Sequence, residues 1–358
     1  MQHFESIRLV TFFRHAALCL CFAGIVACGN DDTKEPEQEV PTKTSAPSAA
    51  ELTSAKPLAG NEAVVQNLLY RVKAGDVFHY KFIQNDRLVQ DGLTAITKQN
   101  LFYTKTIKSV KADGTVEMTV RYDSIRLEND YPDLRDTTKR TLSSYNSTNK
   151  EDRANREFNQ YNGIVGEDVT LLVSKDGRIS EISGLTPLLS KIFGAMKDSL
   201  NLQMQEQALE QIKMQLYMRP LQQEYQNYPD GGNVDSSKQW ARSERSPLSG
   251  AFLVDNTITY TLNSVKNVGS RKAAYIGAKL VSTISNVAPK QGTLAFKLHK
   301  SEISGAGESV IDVEKGYTIM KSNSIKTMID ATMTDTKTKQ SKRAMQLLNT
   351  SLKIELLR

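Results

Sequence analysis

Residues 106–123, TIKSVKADGTVEMTVRYD, decide the fold class. Val116, Met118, Val120 and Tyr122 alternate with Glu117, Thr119, Arg121 and Asp123. A period of two sends one set to a core and the other to water, which is a half-buried strand. Asp113-Gly114 supplies the turn back to a second strand over Lys105–Val110, because glycine accepts a positive φ there.

The same texture returns further along. Thr106 to Gly114 is matched at a constant offset by Thr261-Leu262-Asn263-Ser264-Val265-Lys266-Asn267-Val268-Gly269. Gly166-Glu167-Asp168-Val169, leading to Val173 and Ile179, is matched in the same order by Gly307-Glu308-Ser309-Val310, leading to Val313 and Ile319. Two matches in one order predict a duplicated unit. Strands with no helices between them imply antiparallel pairing. The expected fold is α+β and mainly β: two copies of an antiparallel β-unit forming a curved sheet or open barrel, with a central helical segment. The first copy is placed at about 66–185, the helical connector at about 186–228 and the second copy at about 233–358.

The connector opens at Pro187, with Leu188, Leu189, Ile192, Phe193 and Met196 on one face. Leu202, Leu209, Ile212 and Leu216 continue the stripe, and Pro220 with Tyr228-Pro229-Asp230-Gly231-Gly232 is expected to end it. Such a stripe can line a ligand cavity, but it reads first as a packing face. The polar stretch Glu128 to Gln160 reads as a long loop that could meet a partner.

All three cysteines, Cys19, Cys21 and Cys28, lie within the first 28 residues. Arg8 and Arg14 precede an uncharged run from Ala16 to Ala27, too short to span a bilayer and suited to a signal peptide over 1–27. Ile25-Val26-Ala27-Cys28 resembles a bacterial lipobox, which makes Cys28 the expected lipidation site. More than one acyl chain gives stable anchoring. Gly29, rather than aspartate, follows the cysteine and argues against inner-membrane retention. Residues 28–60, with Pro36, Pro41, Pro47 and Pro57, read as a flexible tether. Asn30-Asp31-Asp32 resembles the acidic surface-export signal of Bacteroidota lipoproteins. The expected place is the outer membrane, on its periplasmic face or at the cell surface, with the surface slightly favoured.

A chain cut before Cys28 has no thiol for a disulfide, a metal or nucleophilic catalysis. Only His79 and His299 remain downstream, without metal-ligand spacing. The net charge is +6, and the basic residues are scattered, as at Lys105, Lys108, Lys111, Arg121, Arg126, Lys266, Arg271 and Lys272. These read as solvated surface rather than as a nucleic-acid patch.

Val72-Lys73-Ala74-Gly75-Asp76-Val77-Phe78-His79-Tyr80, Ala112 to Met118, Tyr122-Asp123-Ser124-Ile125, Ser174-Lys175-Asp176-Gly177 and the segment from Tyr228 to Trp240 together resemble a family of uncharacterised Bacteroidota lipoproteins with a domain of unknown function. In that family the last segment carries a Gly-Asp-x-Trp echo of Gly75-Asp76; here it is Ser237-Lys238-Gln239-Trp240. The resemblance runs from about Leu68 to the end of the chain and implies a fold, with no assigned activity to carry over.

A direct search for chemistry finds little. Ser147-Thr148-Asn149-Lys150 has the S-x-x-K spacing, but within a polar stretch unsuited to a preorganised nucleophile. His79, between Phe78 and Tyr80, faces away from both. Asp76, Asp113 and Asp176 adjoin glycines and read as turn residues. Asp123-Ser124-Ile125 and Asp136-Thr137-Thr138 resemble the Bacteroidota O-glycosylation acceptor. Trp240, near Tyr225 and Tyr228, reads as a core plug before a sugar platform. No catalytic residue, metal ligand or cofactor is assigned, and the ligand-binding residues stay open. The expected protein is a membrane-anchored lipoprotein, non-enzymatic, binding a lipid or other apolar ligand in the cell envelope. The alternatives are a surface module binding protein or glycan and, with least weight, a hydrolase with a carboxylate site.

Overall fold

The computed structural model describes residues 46–133, 136–194, 197, 201–248 and 252–357. The expected signal peptide, Cys28, Asn30-Asp31-Asp32 and Met196 lie outside the described residues.

Among the described residues, thirteen strands form one antiparallel sheet. They are β1 (Val77–Gln90), β2 (Leu93–Val110), β3 (Val116–Pro132), β4 (Arg140–Asn146), β5 (Asp168–Val173), β6 (Ile179–Ser183), β7 (Gln239–Leu248), β8 (Phe252–Val268), β9 (Arg271–Ile284), β10 (Lys290–Gln291), β11 (Leu294–Asp312), β12 (Thr318–Asp335) and β13 (Ser341–Leu356). The spatial order is β6-β5-β3-β2-β1-β13-β12-β11-β9-β8-β7, with β4 on β3 and β10 on β11. The sheet is mainly built of hairpins, as the alternation of residues 106–123 predicts. Val116, Met118, Val120 and Tyr122 are all buried. Asp91 and Gly92, both at positive φ, make the two-residue turn from β1 to β2. The last strand, β13, joins the halves by pairing with β1 from Tyr80↔Leu356 to Gln90↔Gln346.

The helices are α1 (Ala49–Ser54), α2 (Lys150–Ala154), α3 (Asn159–Asn162), α4 (Thr186–Phe193), α5 (Leu202–Ile212) and α6 (Arg219–Tyr225), with a π-helical turn over Lys213–Met218 between the last two. Of the two expected stop signals, Pro220 does not end the helical run, which continues to Tyr225 and stops just before Tyr228-Pro229. Proline stands in the first turn of α6, where its missing N–H costs little, and the π-helical turn carries the chain into it.

The sheet rolls around α6. This helix and the turn after it touch β3 at Met118, β2 at Tyr103 and Lys105, β12 at Thr318 and Lys321, β11 at Ser309 and β7 at Glu244. β3 and β7 stand eight places apart in the strand order. That is about 38 Å across a flat sheet at ~4.8 Å per strand, whereas a helix with its side chains is about 10–12 Å wide. One helix reaches both only when the sheet curls about it. The sheet is nevertheless not closed: β6 and β7 are its edges. Asp230 spans the gap by accepting from Arg178, beside β6, at 2.7 Å and pairing with Arg242 of β7 at 3.3 Å.

Two expectations change. The stretch Glu128 to Gln160 is not a loop: β3 continues to Pro132 and pairs with β4, and α2 and α3 follow. Both faces of this hairpin extension meet water over much of its length, so no apolar alternation marked it. Of the expected tether, residues 46–60 are fixed: α1 starts from a Ser48–Glu51 capping box, Leu58 N–H donates to Val265 O at 2.8 Å, and Leu52 and Leu58 pack on the main core.

Candidate functional site

Two lysines mark the inner face of the rolled sheet, and both follow from register. Lys105 shares the phase of Tyr103 and Ile107 on β2, and Lys321 that of Ile319 and Asn323 on β12. The first is fully buried and the second 2% exposed. The reading of Lys105 as solvated surface is therefore corrected. Its side-chain phase, not its charge, decides where it points.

Lys105 has a carboxylate partner and a cage of aromatic rings. Its ammonium forms an ion pair with Glu224 of α6 and donates to Tyr225 Oη at 3.0 Å. Tyr103 Oη donates to the other Glu224 oxygen at 3.1 Å. The rings of Tyr80, Tyr225, Tyr70 and Phe78 stand 4.4–5.6 Å from Nζ. Burial pushes the ammonium's pKa down, and Glu224 opposes that shift. Tyr122 Oη also donates to Leu216 O, and Tyr228 Oη to Gly316 O. This half of the interior is a filled core. Leu188, Leu189, Ile192, Leu216 and Tyr217 belong to it, so the helical stripe packs rather than lines a cavity there, though Leu202 stays exposed.

The other half is different. An open groove of about 190 Å³ lies on the inner face of β7, β8, β9, β11 and β12. Leu248, Val254, Ile258, Leu280, Ile303 and Ile325 give it apolar walls. Ala278, Gly305 and Gly307 leave the room, and Gln223 and Gln226 border it from the side of α6. Its charged groups are Lys321 and Glu244. Lys321 Nζ donates to the Gln223 carbonyl at 2.7 Å, and among the described residues no carboxylate makes an ion pair with it. Burial holds its pKa down to about 7 against the pull of Glu244 and Glu224. Asn323 Oδ1, in the same lining, is buried without a hydrogen-bond partner among the described residues. Beyond the groove, Leu248 also packs against a second apolar cluster around Phe252, Phe296 and Ile329.

The other candidates have structural roles. Ser147 Oγ accepts from Ile125 N–H at 2.9 Å, which ties β3 to the end of β4. His79 Nδ1 lies 2.9 Å from Thr104 Oγ1, on the side of β1 away from buried Phe78 and Tyr80. Asp113 accepts from Thr115 N–H at 2.8 Å, and this bond holds its carboxyl below the usual range. Asp76 accepts from Lys73 N–H at 3.0 Å and pairs with Lys315. Trp240 stacks on Tyr260 with centroids 5.7 Å apart. In the hairpin extension Tyr145 is buried, with Phe158 stacked on it at 4.7 Å, and Tyr161 of α3 is buried beside it. Sequence reading missed Glu224 and Lys321 as well as the true setting of Lys105. The legible signal for both lysines was a charge in the apolar phase of a strand.

The comparisons with known proteins bear on the family. Residues 113–276 match DUF6263, a family of unknown function. The match runs from the turn before β3 into β9, through α4, α5 and α6, and spans somewhat less than half of the chain. No curated protein matches. Among solved structures, DynF from the dynemicin biosynthesis pathway of Micromonospora chersina is 8% identical, with 84% of this chain and 90% of that one covered and a TM-score of 0.17. OccK7 (OpdD) of Pseudomonas aeruginosa is 6% identical, with 78% and 98% covered and a TM-score of 0.20. An outer membrane channel from Pseudomonas putida F1 is 5% identical, with 84% and 100% covered and a TM-score of 0.16. Likenesses this low carry no argument about fold or function. Among the described residues no helix is long and apolar enough to cross a membrane.

Proposed function

We propose that this chain is a lipid-anchored, non-enzymatic protein of the cell envelope that holds an apolar ligand in the groove between β7 and β12. The groove is the observation that carries the reading. Its walls are mostly apolar, with Ser246, Asn256, Asn323 and Thr327 set among them, it is open, and it lies on the same inner face that aromatic rings and α6 fill in the other half. Concave sites with mostly apolar walls and a few placed polar groups are the common form of small-molecule sites. The lipobox-like Ile25-Val26-Ala27-Cys28 supports the anchor, with Cys28 as the acylated residue.

The two halves are proposed to be copies of one unit. The register of β2 on β3 shifts between Ile107 and Ser109, and that of β8 on β9 between Leu262 and Ser264, at matching places in the repeat. On this reading one copy keeps its inner face for α6 and the other keeps it for a ligand.

The test is mass spectrometry of small molecules extracted from the purified full chain and from Ile325→Trp, which fills the groove. A molecule enriched with the parent chain and lost from the variant is expected. Equal extracts from the two proteins would overturn the reading.

A further inference from the structure

The two inward lysines differ in one respect that names a ligand chemistry. Lys105 has a carboxylate, Glu224, against its ammonium. Lys321 is just as enclosed, lines the groove, and has among the described residues one acceptor for its three donors, the Gln223 carbonyl. A buried ammonium without a counter-ion is costly, and an anion brought beside it is held by a charge-assisted hydrogen bond in a medium of low dielectric. The aliphatic walls begin at that ammonium and run through Ile325 and Ile303 to Leu248, next to the second apolar cluster. We infer that the ligand is a single-chain amphiphile with a carboxylate head, which pairs with Lys321 while its alkyl tail lies along the groove toward Leu248. This rests on the ligand-binding reading of the groove given above.

The carboxylate of Glu244 lines the same groove and sets a limit. It accepts from Gln226 Nε2 at 3.4 Å, which draws it toward the α6 side. It attracts Lys321 and repels an incoming anion. Removing its charge therefore tightens binding of a carboxylate and leaves a neutral head unaffected.

The test uses the full chain released from detergent micelles in native mass spectrometry, with decanoate and decanol as probes. Decanoate is expected to bind at least tenfold more tightly than decanol. Lys321→Met is expected to weaken decanoate about tenfold or more and to leave decanol within about threefold. Removing a buried charge whole, rather than stranding its partner, is compatible with folding. Glu244→Gln, a milder change, is expected to tighten decanoate severalfold. Equal binding of the two probes by the parent chain, or decanoate binding indifferent to both variants, overturns the carboxylate inference while the groove reading stands. Binding of neither probe overturns the groove reading itself.

Discussion

The Lys105 ammonium and the Glu224 carboxylate meet where neither side chain touches solvent, one on β2 and the other on α6. Four aromatic rings enclose the lysine, and Tyr103 Oη holds the second carboxylate oxygen. The pair locks the helical plug to the rolled sheet. Burying two charges is expensive, so the gain over an apolar pair is small, but losing one partner leaves the other stranded. Glu224→Ala is expected to cost about 3–5 kcal/mol in denaturant unfolding, and adding Lys105→Met to it should recover most of that. A double variant no more stable than Glu224→Ala would show that the pair contributes more than mutual compensation.

Gly316 and Gly177 hold the plugged end together. Both have positive φ, and a Cβ at Gly316 would overlap the backbone of Leu69, while one at Gly177 would overlap Tyr225 O and the Tyr228 ring. The crossing segment Leu68–Val72 is pinned there, with Tyr70 N–H donating to Lys175 O at 2.9 Å and Arg71 N–H to Lys315 O at 2.7 Å. Gly316→Ala combines strain and overlap, so a loss of more than about 2 kcal/mol is expected. Hydrogen exchange at Tyr70 and Arg71 should accelerate first. Unchanged exchange there would argue that the segment can shift to make room.

The pH dependence of stability follows from Lys321. Its pKa in the folded chain is pushed down to about 7, by burial first, with Glu244 and Glu224 opposing. In the unfolded chain the same amine titrates near 10.4. Between those values the unfolded state binds more protons, so stability rises with pH from about 7 to about 9.5, by at most ~1.4 kcal/mol per unit for one group. Lys105 acts in the same direction. The buried tyrosines Tyr70, Tyr80 and Tyr103, whose pKa values are raised, reverse the trend above about pH 10. Denaturant midpoints at pH 7 and 9 should differ in the parent chain and differ less in Lys321→Met. Identical slopes would place the titration elsewhere.

Cys28 carries the proposed anchor. Cys28→Ala should move the protein from the membrane fraction to the soluble fraction on cell fractionation. A variant that stays membrane-bound removes the lipoprotein reading and leaves the groove untouched.

Much of the fold was legible because strands announce themselves locally. The alternation at 116–122, the Asp113-Gly114 turn and the second-half match at 261–269 predict hairpins, and hairpins fix antiparallel neighbours. The hairpin extension at 126–146 was not legible, since much of it is solvated on both faces and shows no apolar period. Trp240 and the turn aspartates could be placed from sequence because their roles are local.

The sequence by itself determined the hairpin strands around residues 105–122 and 257–269, the turns that join them and the alternation along each strand, although the inward phase of Lys105 and Lys321 went unread. Only the tertiary structure decided what they meet there. Register along one strand carries no information on which distant element lies across the lumen. The rolling of the sheet set α6 against β2, giving Lys105 its carboxylate, and left the small residues of β9 and β11 opposite Lys321 as an open groove.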